Sequence, residues 1–296
     1  MRLAYTISGY KQPSQFRWLL EAVWHADDLF AVHVDARTPE PVFQAFQRVA
    51  AGRSNVFFVA RERVVWMGSG LLRAELRMIR RLLSEPGGFD HLIALSMQCY
   101  PLKRREAIVA ELEREPCRNF IRMLELHDQP FEVRRRPYLM SFERADKVLR
   151  TPLPRLVPKS TPIRFKGSWW RVLSRDFCRW LVDDPITVRY AAFLAHVRAP
   201  DELFFQNLIM ASPFAATLAD DHRHEITWTG RGGSPDTVGM ADLPRLEASP
   251  MWFTRKVDEI VDRPVLERLA ARIGAPVPPP VGIGDDEAGS REVAAA

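Results

Sequence analysis

Two adjacent carboxylates, Asp201 and Glu202, directly follow Pro200. A proline at the first helical position would place both in the opening turn of a helix expected from Asp201 to Ala211. There a carboxylate can point from the helix mouth into a cleft and take a proton, or it can merely complement the helix dipole. Arg255 and Lys256 follow the apolar run Met251-Trp252-Phe253. Two cations leaving a buried strand together could hold a diphosphate by charge-assisted hydrogen bonds, or form an ordinary surface pair. Arg231 sits in Thr-Gly-Arg-Gly-Gly, where glycine neighbours permit close approach of a phosphate to the backbone. Asp35, at the end of an expected strand, is placed either to accept from a ligand or to finish a turn. Trp66, with Gly68, either shapes a pocket there or belongs to the core.

Other chemistries find no support. No G-x-G-x-x-G follows the first strand and no G-x-x-x-x-G-K-[ST] loop occurs, which disfavours dinucleotide binding and P-loop phosphoryl transfer. Gly68-Ser69-Gly70 lacks the spacing of a nucleophile elbow, so Ser69 reads as the N-cap of the next helix. His222-Arg223-His224 beside Asp220-Asp221 reads as a polar connecting loop, not a metal cluster. There is no Asp-x-Asp dyad at a strand end. Cys99, Cys117 and Cys178 are too far apart for a zinc knuckle or a redox pair, and reduced thiols are expected.

The elements that must position these residues alternate. Strand-like runs at Leu3 to Ser8, Leu29 to Asp35, Val56 to Val59, His91 to Ser96 and Asn119 to Leu124 are separated by helical patterns. Those patterns cover Ser14 to His25, Gly70 to Leu83 and the stretch holding Ile108, Val109 and Leu112. This order predicts an α/β fold with a mostly parallel sheet flanked by helices, whose ligands sit at the carboxyl ends of strands, near Ser8-Gly9-Tyr10, Asp35 and Ser96. From Glu125 to Arg164 prolines and arginines dominate and a long irregular insertion is expected. Order returns at Lys166, with helices from Arg175 to Val182 and from Pro264 to Ile273. The chain therefore divides into one domain over 1–275, made of halves 1–124 and 166–275 around the insertion 125–165. A disordered tail is expected over 276–296. With 296 residues, 47% hydrophobic and 27% charged, the composition is that of a globular domain. The net charge of +5 suits phosphate-bearing ligands, nucleic acid or an anionic membrane surface. The opening Met1-Arg2-Leu3-Ala4-Tyr5 runs straight into a strand, so a cytoplasmic protein, peripheral at most at a membrane, is expected.

Six segments in order resemble the core-2/I-branching N-acetylglucosaminyltransferase and xylosyltransferase family. They are Ala4-Tyr5-Thr6-Ile7 with His33-Val34-Asp35; Arg63-Val64-Val65-Trp66-Met67-Gly68-Ser69; Leu95-Ser96-Met97-Gln98-Cys99-Tyr100-Pro101-Leu102; Lys166-Gly167-Ser168-Trp169-Trp170 with Ser174-Arg175; Pro200-Asp201-Glu202-Leu203-Phe204-Phe205-Gln206; and Ser249-Pro250-Met251-Trp252-Phe253-Thr254-Arg255-Lys256. Cys99 stands where the family usually has aspartate.

The resemblance implies a GT-A-type fold and an inverting, metal-independent transfer of a sugar, of the N-acetylglucosamine or xylose type, from a UDP-sugar to a glycan or glycolipid hydroxyl. Glu202 would be the catalytic base. Arg255, Lys256 and Arg231 would hold the diphosphate, with Asp35, Trp66 and Gly68 around the nucleoside. Lys166, Ser168, Trp169, Trp170 and Asp201 would meet the acceptor, the tryptophans offering flat faces to a sugar ring or serving the core. No cofactor, metal ion or nucleic acid is expected. The competing readings are a nucleic-acid-binding protein built on Arg134-Arg135-Arg136 with Phe131, Tyr138 and Phe142, and an inactive glycan-binding relative.

Overall fold

A computed structural model describes residues 1–229 and 234–282. Arg231 lies outside the described residues, as does 283–296, most of the expected tail. In chain order the first half runs β1 (Leu3–Gly9), α1 (Pro13–Val23), β2 (Leu29–Val34), α2 (Glu40–Ala50), β3 (Val56–Phe58), α3 (Gly70–Leu83), β4 (His91–Ser96), β5 (Cys99–Pro101), α4 (Arg105–Arg114) and β6 (Asn119–Ile121). Then follow β7 (Leu124–Glu125), α5 (Phe131–Arg134), β8 (Leu139–Arg144), β9 (Lys147–Pro154), β10 (Phe165–Lys166), β11 (Arg171–Ser174), α6 (Arg175–Asp183), α7 (Pro185–Leu194) and α8 (Phe204–Met210). The last elements are β12 (Leu218–Ala219), β13 (His224–Ile226), α9 (Leu243–Ala248), β14 (Phe253–Arg255) and α10 (Arg263–Ile273).

The central sheet has the order β12-β6-β11-β4-β1-β2-β3. All its pairings are parallel except those of β11, which runs against both β4 and β6. The mostly parallel α/β architecture is thus as expected. β1 sits between two parallel neighbours, with Ile7 opposite Val32 on one side and Leu95 on the other. Such a strand has no solvent face, which is why Leu3-Ala4-Tyr5-Thr6-Ile7 reads as a nearly continuous apolar run. Alternate residues feed opposite layers. Ala4, Leu29 and Leu92 face a core shared with α3, α6, α7 and α8, whereas Tyr5, Phe30 and Ile93 face one shared with α1, α2 and α4.

Helix α3 shows how the sequence pattern is used. Leu72, Leu76, Ile79 and Leu82 point inward, and Arg73, Arg77 and Arg80 point to solvent. The inward face also carries Glu75, fully buried, which meets the equally buried Arg171 of β11 at 2.7 Å and accepts from the Thr6 hydroxyl at 2.8 Å. Two charges removed from water are tolerable only when they meet each other, and Arg171 also lies over the Phe205 ring at 3.5 Å.

Several expected elements differ. Part of the insertion is regular: β8 and β9 form an antiparallel hairpin in which Phe142 pairs with Leu149 and Arg144 with Lys147, whereas 155–164 has no regular structure. The hairpin is mostly exposed and proline-bearing, so it shows no alternation that would mark strands. Its tip turns at Ala145-Asp146. The run Asn119 to Leu124 divides into β6 and β7. The expected helix from Asp201 is two pieces, a 3-10 turn Pro200–Glu202 and α8, separated by Leu203 at φ −120°. Ser69 does sit at the N-cap of α3, as expected, but its hydroxyl makes no cap and donates instead to Glu143 of the hairpin, at 2.7 Å. His224 is no loop residue but a buried strand residue stacked between Trp170 and Phe253. Burial pushes its imidazole down to about 3, so it is neutral. Among the described residues no helix is long and apolar enough to cross a membrane.

Candidate active site

The 3-10 turn that carries Glu202 is fixed from both sides. Ala199 enters it at φ 53°, donating its N–H to the Met67 carbonyl at 2.8 Å, and the Glu202 carbonyl accepts from Gly167 N–H at 2.8 Å. The turn is therefore pinned to the segment after Trp66 and to the end of β10. The Glu202 carboxylate is partly exposed, and both of its cationic partners approach the same oxygen. Arg136 donates to Oε2 at 2.8 Å, and Lys166 Nζ lies 3.4 Å from it. Oε1 has no hydrogen-bond partner among the described residues. One oxygen is thus anchored and the other remains open to a proton-bearing ligand.

Asp201 points into a different environment. Burial, followed by the neighbouring Glu202 charge, pushes its carboxyl up to about 7, against a smaller downward pull from Arg171 and Arg136. The two adjacent carboxylates are therefore not equivalent. Asp201 makes no ion pair among the described residues, whereas Glu202 is paired with Arg136 and Lys166.

A second group of charges gathers at the carboxyl ends of the parallel strands. Lys256 follows β14, and its ammonium is held below the usual lysine range by burial first, then by Arg255 and Lys11, with Asp258 opposing them. Asp258 anchors this loop by accepting from Gln12 at 3.0 Å and from Gln98 at 3.3 Å. Those partners follow β1 and β4, which brings the ends of three strands together. Among the described residues neither Lys11, Arg255 nor Lys256 takes part in an ion pair. Arg255 lies opposite Cys99 in the small sheet, with its guanidinium 3.8 Å from the centroid of Trp170. Burial holds that guanidinium below its usual range, and the Cys99 thiol beneath it is pushed up by burial as well. No carboxylate occupies position 99 to offset Arg255.

The remaining site residues divide. Asp35 is buried, and both its oxygens are taken by Arg37: Oδ1 accepts from the Arg37 backbone at 2.8 Å and Oδ2 from its guanidinium at 2.8 Å. Arg37 reaches on to Asp146 at the hairpin tip at 2.9 Å, which Arg63 also meets at 2.9 Å. Gly68 is where the hairpin approaches, since a Cβ there would stand 2.7 Å from the Glu143 carboxylate. Trp66 is 63% exposed and belongs with the turn, not the core; Arg198 stands 5.9 Å from its ring. Trp169 and Trp170 are core residues, a correction to the expectation of acceptor platforms. They pack edge to face at 4.6 Å, and the faces of Trp170 are covered by Arg255 and His224. The Ser168 hydroxyl is buried beside them without a partner among the described residues.

Sequence reasoning missed Lys11 and the place of Arg136 and Arg198 around the carboxylate. Lys11 could have been marked from its position just after the first strand. Arg136 had no local signal, because it reaches Glu202 from 66 residues away. Arg135 and Arg136 are occupied by Glu132 and Glu202, so the arginine run is not a free strip for a polyanion. Among the described residues no group of three or more His, Cys, Asp or Glu is arranged to hold a metal ion.

The site thus joins a mostly parallel α/β sheet, the Glu202 carboxylate and cations that have no ion-pair partner among the described residues. The particular family follows from comparison: residues 3–249 match the Core-2/I-Branching enzyme family, and the chain belongs to it. Xylosyltransferase 2 of Homo sapiens is 29% identical over 300 residues, covering 94% of this chain and 34% of that protein. A xylosyltransferase of Ciona intestinalis is 25% identical over 284 residues, covering 90% of this chain and 33% of its own length. The chain thus spans about a third of the length of these relatives. The apo structure of mouse xyloside xylosyltransferase 1 overlaps loosely, with a TM-score of 0.40 at 12% identity over 86% of this chain and 97% of that one.

Proposed function

We propose that this chain is an inverting glycosyltransferase that moves a sugar, of the N-acetylglucosamine or xylose type, from a UDP-sugar to a glycan hydroxyl without a metal ion. The observation that carries the reading is Glu202, whose Oε2 is anchored by Arg136 and Lys166 while Oε1 stays open. Family membership supports the reaction class.

In this reading the acceptor hydroxyl approaches Oε1. As its oxygen attacks the anomeric carbon, its proton passes to Glu202, and the bond from that carbon to the diphosphate oxygen breaks with its electron pair leaving on the diphosphate. The new negative charge on the leaving group develops where Lys256, Arg255 and Lys11 stand without an ion-pair partner among the described residues. Cations whose charge is already crowded and partly desolvated lose little more on meeting an anion, and they oppose charge development without reorganising. Arg136 and Lys166 keep the carboxylate in place. The hairpin latched through Glu143 and Asp146 bounds the cleft on one side.

Calorimetric titration with UDP in excess EDTA tests this first. Binding that persists without divalent metal, followed by UDP release from a UDP-sugar when acceptor is added, is the expected result. Absence of UDP binding with or without manganese would remove the donor assignment.

A further inference from the structure

Against the β8–β9 hairpin, and sharing Arg136 with Glu202, is a cavity of about 260 Å³. That is close to the lower end of small-ligand sites, roughly 300 Å³. Its wall carries Arg135, Arg136, Arg150 and Arg198 but a single carboxylate, Glu132. Glu132 is shared by Arg135 at 2.8 Å and Arg150 at 3.4 Å, and Arg136 is turned to Glu202. Arg198 takes part in no ion pair among the described residues. Its guanidinium is held below the usual range by burial and then by Arg150 and Arg136, with Glu202 and Glu132 pulling the other way. The like charges are therefore close enough to act on one another. Met140 and Pro152 add apolar surface to the wall, and the exposed Trp66 ring lies 5.9 Å from the Arg198 guanidinium.

We propose that this cavity is an acceptor subsite for an anionic substituent, a carboxylate or phosphate carried by the glycan whose hydroxyl reaches Glu202. The inference rests on the transferase reading for the word acceptor, while the anion site itself rests on the arginines. A planar guanidinium without a partner is matched to a carboxylate or phosphate by two parallel hydrogen bonds, and a neutral glycan offers Arg198 no such group.

The test is calorimetric titration of the whole chain with three probes at low and high salt: a trisaccharide of uronic acid, its carboxyl-reduced neutral counterpart, and mannose 6-phosphate. The expected result is at least one anionic probe binding about tenfold or more tighter than the neutral one, weakening with salt and losing about tenfold in Arg198→Gln. The anion that binds identifies the source. Should Arg198→Gln fail to fold, Arg150→Gln, on an exposed strand position, takes its place. Anionic probes that bind no better than the neutral sugar, or affinities unchanged by the arginine substitution, would overturn the inference. UDP titrated in parallel separates the two proposals. Loss of UDP binding with anion binding intact counts against the transferase alone, and UDP binding with no preference for anions counts against the subsite alone.

Discussion

Replacing Glu202 by glutamine keeps the side-chain volume and one acceptor oxygen, so Arg136 or Lys166 can still be met. The ion pair it removes is partly exposed, with Glu202 29% accessible and Arg136 11%. Pairs of that kind are worth about 1 kcal/mol or less, and folding should change by no more than that. What glutamine cannot do is take the acceptor proton. The loss of a positioned base is worth about 10²–10⁴-fold in rate, or roughly 3–5.5 kcal/mol of barrier. The stability cost and the catalytic cost therefore differ severalfold, and one set of measurements separates them. Urea unfolding reads the first. UDP release from a panel of UDP-sugars, with acceptor present and absent, reads the second, and UDP titration checks that the donor site is intact. A variant with turnover within threefold of the parent and normal UDP affinity would refute the assignment of the base. A variant that loses activity and unfolds several kcal/mol more easily would show that the carboxylate serves structure instead.

Lys256→Gln should weaken UDP binding and slow transfer by roughly 10²-fold, on the scale of one lost electrostatic stabiliser, and unchanged UDP affinity would remove Lys256 from the donor site. Glu75→Leu leaves Arg171 charged and buried without its partner, which should cost about 3–5 kcal/mol in urea unfolding; a loss under 1 kcal/mol would mean that water or another group reaches Arg171. Stability should also depend on Asp201. The folded chain holds its proton between the ordinary aspartate value of 3.8 and about 7, where the unfolded chain has lost it, so stability falls as pH rises through that window. The slope is at most about 1.4 kcal/mol per pH unit, and Asp201→Asn should flatten it; an unchanged slope would show an ordinary, solvated carboxyl.

The central sheet was legible because its strands are buried on both faces. Leu3-Ala4-Tyr5-Thr6-Ile7 and His91-Leu92-Ile93-Ala94-Leu95 need no partner to be recognised as core strands, and β4 and α3 have the expected boundaries. The positions of Glu202, Arg255 and Lys256 next to proline and apolar runs marked them as candidates for the same reason: local pattern fixes where a chain leaves its core. Long-range placement was not legible. Trp169 and Trp170 look alike in a sequence whether they line a cleft or fill a core, and only the packing of Arg255 and His224 against Trp170 decides it. The hairpin is exposed, so no hydrophobic period announces it, yet it delivers Glu143 and Asp146 to the cleft edge. Arg136 and Arg198 meet near Glu202 because the insertion folds back over the sheet, and charge partners separated by 66 residues leave no mark on one another's neighbours. The sequence by itself determined the sheet and the kinds of group available at its strand ends. Which carboxylate oxygen is anchored, and which cations have partners among the described residues, were decided by tertiary contacts, since burial and electrostatic pairing are properties of neighbours in space.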